Sequence, residues 1–223
     1  MNLNSAFTQP MSAPTAAPTA APTAEGAPVQ QHALWLPALR FSLVGLVFCG
    51  ALYSGGVTLL NQLLFPAQSN GSLIKTTDGK VLGSVLVAQP FSAERYFHGR
   101  PSAVNADPMN TAGSNLAPSN PALRERVAAE SSRLAAVYQV NPESLPLDLL
   151  ASSGSGVDPH ISPAAAQLQV ERVAKARGCA TTTVTALVAQ QTQAPQWGVL
   201  GEPRVAVLPL NLALDQACPV QAP

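Results

Sequence analysis

The sequence predicts a mixed α/β (α+β) extracytoplasmic domain anchored by one N-terminal transmembrane helix. Three observations carry this. Residues 40–60 form a long apolar run, and no charged side chain occurs from Phe41 to Ile74. Farther on, Asn120-Pro121 and Ser162-Pro163 are helix-start devices, a capping residue followed by a proline suited to the first helical position. Around them lie β-branched stretches broken by turn pairs such as Asp78-Gly79. The 223 residues therefore divide into an arm, 1–33, a membrane helix with its flanks, 38–65, and one domain, 71–223. A domain of that length buries a core without help from metal or disulfides.

The arm repeats A-P-T-A three times over residues 13–24. Regular prolines remove backbone donors and small side chains offer little to bury, so the arm is expected to be disordered. Residues 1–33 contain no arginine, which argues against a transit peptide. The apolar run that follows is too long for a signal peptide and has no A-x-A site before Asn70. About twenty helical residues span roughly 30 Å, the thickness of the hydrocarbon core. Arg40 is the only basic residue at its N-terminal end, and the other end has none until Lys75. The positive-inside rule then puts the arm in the cytoplasm and residues 71–223 outside. At 100° per residue Ser42, Gly45, Cys49 and Gly56 share a narrow stripe with Tyr53 beside it. Small residues let helix backbones approach closely in lipid, so this stripe is the expected contact with another membrane helix.

In the domain, residues 72–88 read as a hairpin around Asp78-Gly79. Residues 98–120, rich in Gly, Pro, Ser and Asn, read as an irregular loop. A helix runs from Pro121 to about Gln139 with Leu123, Val127, Leu134 and Tyr138 on one face and Glu125, Arg126 and Arg133 turned away. Residues 147–151 are expected as a short strand. A helix from Ser162-Pro163 stops at Gly178, and Thr182 to Gln191 forms another. The alternation of Leu208, Leu210, Leu212 and Leu214 predicts a closing strand over 204–214, at a sheet edge because Pro209 cannot donate to a ladder.

Charge is balanced at 12 basic and 12 acidic residues, which gives no basic face for nucleic acid. His32, His98 and His160 are the only histidines, and neither metal-ligand spacing nor a phosphate-binding glycine loop occurs. With Cys49 in the apolar run, Cys179 and Cys218 are free either to pair or to stay reduced. One stretch invites a catalytic reading: Ser155, Asp158 and His160 in S-G-S-G-V-D-P-H-I-S, residues 153–162. A membrane-anchored serine hydrolase is the alternative it offers, and a plain binding module is another. A nucleophile elbow needs G-x-S-x-G, however, and both glycines are misplaced here. Gly154 and Gly156 suit positive φ, Asp158-Pro159 suits a turn, and Ser162-Pro163 starts the next helix, so the stretch reads as a strand–loop–helix connection.

Four stretches, in order behind one membrane helix, carry a resemblance. They are Tyr96-Phe97-His98-Gly99-Arg100-Pro101-Ser102-Ala103; Gly113-Ser114-Asn115-Leu116 with Asn120-Pro121-Ala122-Leu123; Ser153 to Ser162; and Gly201-Glu202-Pro203-Arg204-Val205 running on to Leu210-Asn211-Leu212-Ala213-Leu214-Asp215. Over about residues 38–215 the chain closely resembles the KdpC subunit family of the bacterial potassium-transporting P-type ATPase. It departs at Ala117, where glycine is usual, at Ala206, where asparagine is usual, and at Pro209 in place of a polar residue. The resemblance implies a non-catalytic accessory subunit of an inner-membrane pump. Its partners would be a channel-like potassium-translocating subunit, a P-type subunit that hydrolyses ATP, and the bilayer. Such a subunit binds no cofactor of its own, ATP and potassium being handled by the complex. It is described as stabilising assembly and as a catalytic chaperone raising the ATP affinity of the hydrolytic subunit. In this chain the loop 95–120, with Arg95, Arg100 and Asn115, is the expected docking surface, unless Arg100 pairs inside its own domain.

Overall fold

A computed structural model describes residues 34–219, so the A-P-T-A arm lies outside the described residues. Trp35–Leu64 is one helix of 30 residues with a mean hydropathy of 1.9 over its most apolar window, long and apolar enough to cross a membrane. It runs as α1 (Trp35–Gly45), a π-helical stretch (Leu46–Tyr53) and α2 (Ser54–Leu64). The Ser54 hydroxyl donates to the Cys49 carbonyl at 3.0 Å where the π stretch ends. A short α3 (Pro66–Ser69) follows.

β1 (Leu73–Lys75) and β2 (Val81–Ser84) form the expected antiparallel hairpin. Gly79, at φ 79°, supplies the left-handed residue that its turn requires. Residues 85–120 contain neither helix nor strand. Helix α4 (Pro121–Tyr138) begins as its sequence dictates: the Asn120 side chain accepts the Ala122 amide at 3.0 Å, and Pro121 stands at the first position. Leu134 is buried on its inner face. Arg126 corrects one expectation, because it turns inward and donates to the Leu150 carbonyl at 3.1 Å. After a 3-10 turn (Pro142–Ser144), α5 (Leu147–Leu150) is a helical turn where the sequence predicts a strand. Leu149 and Leu150 are both buried, and two adjacent inward residues do not fit the alternation of a strand.

α6 (Pro163–Arg177) is capped by the Ser162 hydroxyl, which accepts the Ala165 amide at 3.0 Å, and it ends at Gly178 in the left-handed conformation. α7 (Thr181–Gln191) packs beside it. A three-stranded antiparallel sheet of order β3-β5-β4 joins β3 (His160–Ile161), β5 (Arg204–Ala206) and β4 (Thr192–Gln193). The closing strand is therefore only three residues long. Val207–Ala217 form α8, with Pro209 as its third residue. The first four amides of a helix have no intrahelical acceptor, so proline costs nothing there and serves as a helix-start residue. Leu210 and Leu214, four residues apart, are fully buried on one helical face.

The core gathers Phe97, Leu134, Ile161, Val170, Val173, Val184, Val205, Leu210 and Leu214. Two buried carboxamides run through it. Asn211 on α8 accepts the Phe97 amide at 2.9 Å and donates to the Phe97 carbonyl at 3.0 Å. Gln169 on α6 does the same for His98, at 2.8 Å and 3.1 Å. Two arginines of α6 serve the neighbouring carbonyls. Arg172 donates to Glu94 and Tyr96, and Arg177 donates to Arg95 at 2.7 Å. Arg177 also donates to the Cys218 carbonyl at 2.9 Å and pairs with Asp215 at 2.7 Å. Beside it Cys179 and Cys218 form a disulfide, which settles the pairing left open by the sequence.

Two outcomes follow. Asn211→Leu leaves a buried amide and a buried carbonyl unpaired and should destabilise the domain by about 3 kcal/mol, read in a denaturant titration. Breaking the 179–218 bond, which closes a separation of 39 residues, should cost roughly 4 kcal/mol by loop closure and lower the melting temperature by about 10 °C.

Candidate functional site

The loop 153–162 is held by hydroxyls and by contacts between backbones. Ser153 is buried, its oxygen accepts the Gly156 amide at 3.0 Å and the Asp158 amide at 3.3 Å, and its own amide donates to the Pro101 carbonyl at 2.9 Å. Ser102 donates to the Gly156 carbonyl at 2.6 Å while accepting the amides of Val104 and Ala106. A Cβ on Gly113 would come within 2.7 Å of the Gly154 carbonyl oxygen, and one on Gly156 within 2.5 Å of that of Ala112. The glycines of two separate motifs are thus required because one main chain lies directly on another.

From this loop Asp158 reaches Arg100, whose Nη1 donates at 3.0 Å, with Nη2 at 3.4 Å from the Ala151 carbonyl. The other oxygen of Asp158 accepts the His160 amide at 3.0 Å and lies 3.5 Å from its Nδ1. Arg100, Asp158, His160 and Arg204 line one groove of about 530 Å³ together with Leu147, Asp148 and Pro203. Asp148 is engaged there, accepting the Ser162 amide at 2.7 Å and the Ser162 hydroxyl at 2.9 Å. Burial holds the His160 imidazole below its ordinary value, against the pull of Asp158, and Arg204 adds to the lowering. Burial likewise lowers His98, with Arg172 adding to it, while its Nε2 lies 3.1 Å from the Ala93 carbonyl.

Ser155 is exposed. Its oxygen lies 3.2 Å from the Ser153 hydroxyl and accepts the Val157 amide at 3.2 Å. Asp158 and His160 face Arg100 and Arg204 across the groove, so Ser155, Asp158 and His160 cross-link a loop and do not form a nucleophile with its base. Among the described residues no group of three metal-ligating side chains comes together.

The residues expected to meet partners are scattered. Ser42, Cys49, Tyr53 and Gly56 are exposed along the apolar helix and Gly45 is half-buried, with Cys49 a free thiol. Arg95 is exposed and its guanidinium lies 5.4 Å over the Tyr96 ring, while Asn115 is exposed at φ 51°. Arg100 is committed to Asp158. Gln169, Arg172 and Arg177 go unmarked in the sequence, and Asn211 enters there only as one residue of the fourth stretch of the resemblance. Gln169 could have been found, since it shares a helical face with Ala166, Val170 and Val173, and a polar residue in an apolar stripe needs a buried partner.

The family model described as K+-transporting ATPase, c chain, matches residues 35–216. The potassium-transporting ATPase KdpC subunit of Shewanella putrefaciens is 58% identical over 186 residues, covering 83% of this chain and 92% of that relative. The subunit of the same name from Xanthomonas oryzae pv. oryzae is 51% identical over 184 residues, covering 81% and 88%. That from Methylococcus capsulatus is 52% identical over 185 residues, covering 80% and 95%.

The two lowered histidines set a pH dependence. Each takes up its proton at a lower pH in the fold than in the unfolded chain, where the ordinary value is 6.5. The stability they contribute is complete above about 6.5 and is lost as the pH falls from there toward their folded values. Melts between pH 7.5 and 5 should show falling stability, and the double variant His98→Gln, His160→Gln should flatten that slope.

Proposed function

The chain belongs to the KdpC family, the c chain of the K+-transporting ATPase, and from that membership we propose that it acts as a non-catalytic clasp on the outer face of the pump. Its membrane helix would pack against the channel-like subunit through the small residues Ser42, Gly45, Cys49 and Gly56, and its domain would dock on the same subunit outside the inner membrane. Two linked contacts raise each other's effective concentration, so the pair holds the assembly where neither alone would suffice. An effect on the ATP affinity of the hydrolytic subunit would pass through the partner subunits, because ATP lies on the cytoplasmic side.

The observation that carries this reading is the single match over residues 35–216, which takes in the membrane-length helix and most of the domain together. Two others support the orientation. The Cys179–Cys218 disulfide suits an oxidising compartment, and Arg40 lies near the N-terminal end of the helix. The cross-linked loop of Ser155, with its hydroxyl tied to Ser153 and Val157, supports adhesion over hydrolysis.

Deleting residues 71–223 while keeping the helix should reduce recovery of the two larger subunits in a mild-detergent pull-down and weaken potassium affinity in uptake assays. Full assembly with unchanged potassium affinity would refute the clasp.

A further inference from the structure

The β1–β2 hairpin keeps an apolar surface where a water-facing sheet would be polar. Its register sets Leu73 opposite Ser84, Ile74 opposite Gly83 and Lys75 opposite Val81. Residues opposed in a ladder share a face, and neighbours along a strand take opposite faces. Ile74 and Gly83 form the inner face. A Cβ on Gly83 would collide with the Gln89 carboxamide and lie 3.0 Å from the Leu208 side chain of α8. Leu73, Lys75 and Val81 form the outer face. A solvated face is normally polar. Here Leu73 is 45% exposed and Val81 49%, and Leu86, just past β2, is 59% exposed.

The path of the chain fixes what lies beside that face. Residues 40–60 suffice for the hydrocarbon core, so Asn61 and Gln62, the first carboxamides beyond Phe41, stand level with the headgroups. The chain then turns back on itself. After α3 the Asn70 carboxamide donates to Gln62 Oε1 at 3.1 Å and to the Pro66 carbonyl at 2.6 Å. Gly71 follows at φ 82°, and the Ser72 amide donates to the Ala67 carbonyl at 2.8 Å. The base of the hairpin is bonded to the same turn. The Ser84 hydroxyl donates to the Gly71 carbonyl at 2.7 Å, and the Val85 amide to that of Ser72 at 3.3 Å. Leu73 is three residues beyond Asn70, at most about 11 Å of extended chain. The outer face thus begins within that reach of a residue bonded to Gln62.

Charge agrees with this placement. The charged residues from Phe41 to Ala93 are Lys75, Asp78 and Lys80, all on the hairpin, and none of them is in an ion pair among the described residues. Lysine is depleted at the core of protein interfaces. At a bilayer its apolar stem lies along apolar surface while the ammonium reaches the phosphates. Leucine and valine set among lysines suit a segment that lies in the membrane interface.

We propose that the β1–β2 hairpin rests on the bilayer beside the membrane helix, Leu73, Val81 and Leu86 entering the headgroup layer and Lys75 and Lys80 meeting anionic phospholipid. This rests on the helix spanning the membrane, and it adds to the clasp a lipid contact at the foot of the domain.

The test attaches an NBD fluorophore at Val81→Cys in a Cys49→Ser background of the full chain, which leaves the disulfide in place. The chain is reconstituted in phosphatidylethanolamine/phosphatidylglycerol vesicles with and without a lipid carrying a nitroxide on its headgroup, and the assembled complex is placed in the same lipids. A blue-shifted emission, with about half of it lost to the nitroxide, is expected in both preparations. Lys75→Glu with Lys80→Glu should cut that quenching about twofold with the melting temperature retained, and so should exchange of phosphatidylglycerol for phosphatidylcholine. An unshifted, unquenched label would overturn the proposal. A blue shift confined to the complex, without quenching by the lipid, would also overturn it and assign the face to another subunit. Quenching indifferent to both charge reversal and lipid charge would overturn the role of the lysines. A label at Leu73→Cys repeats the measurement if Val81→Cys does not fold. Failure of the chain to float with vesicles would strike the membrane helix itself, whereas flotation with an unquenched label would strike only this proposal.

Discussion

The fold depends on a strip of main chain that belongs to no sheet yet is hydrogen-bonded as if it did. Residues 94–98 cross the face of α6 and α8, and the groups they lack from neighbouring strands come from side chains. Asn211 and Gln169 each bond both the amide and the carbonyl of one residue, while Arg172 and Arg177 serve the three carbonyls that precede those two residues. Buried backbone must be paired, so an irregular segment can run through a core only if the helices beside it carry polar residues at matching heights. Phe97 is fully buried at the centre of this arrangement and converts the polar clamp into apolar packing.

The same device recurs on a smaller scale around residues 153–162. Serine hydroxyls at 102 and 153 stand in for ladder partners, and glycines at 113 and 156 allow the loops to lie main chain on main chain. The first and third of the four stretches are thus bonded loop to loop, at Pro101–Ser153 and Ser102–Gly156, and the second meets the third where Gly113 lies on Gly154. Asp158, which resembles a catalytic acid when read beside Ser155 and His160, ties this loop to Arg100.

Much of the helical framework is legible in consecutive residues. The cap-then-proline pairs at Asn120-Pro121 and Ser162-Pro163 place α4 and α6, and Gly178 ends the latter, because capping chemistry is local. The sheet is not legible in this way. Its strands are two or three residues long, too short for a period of two to declare itself. The leucines at 208–214 alternate by coincidence with a strand pattern, while the spacing of Leu210 and Leu214 is also that of one helical face. In the candidate site the expected docking residues stand out by their charge on a long loop. Charge alone does not tell a free arginine from a paired one, and Arg100 and Arg204 differ only in what folds up against them.

The disulfide has a further meaning for the piece of chain it encloses. Cys179 and Cys218 close a covalent ring that contains α7, β5, α8 and an exposed turn with Trp197 at its tip. A peptide bond cleaved at that tip leaves one molecule, its two halves still joined through sulfur. Asn211 then stays beside the strip it supports, and proteolytic wear at the most prominent point of the ring becomes visible only once the sulfurs are separated.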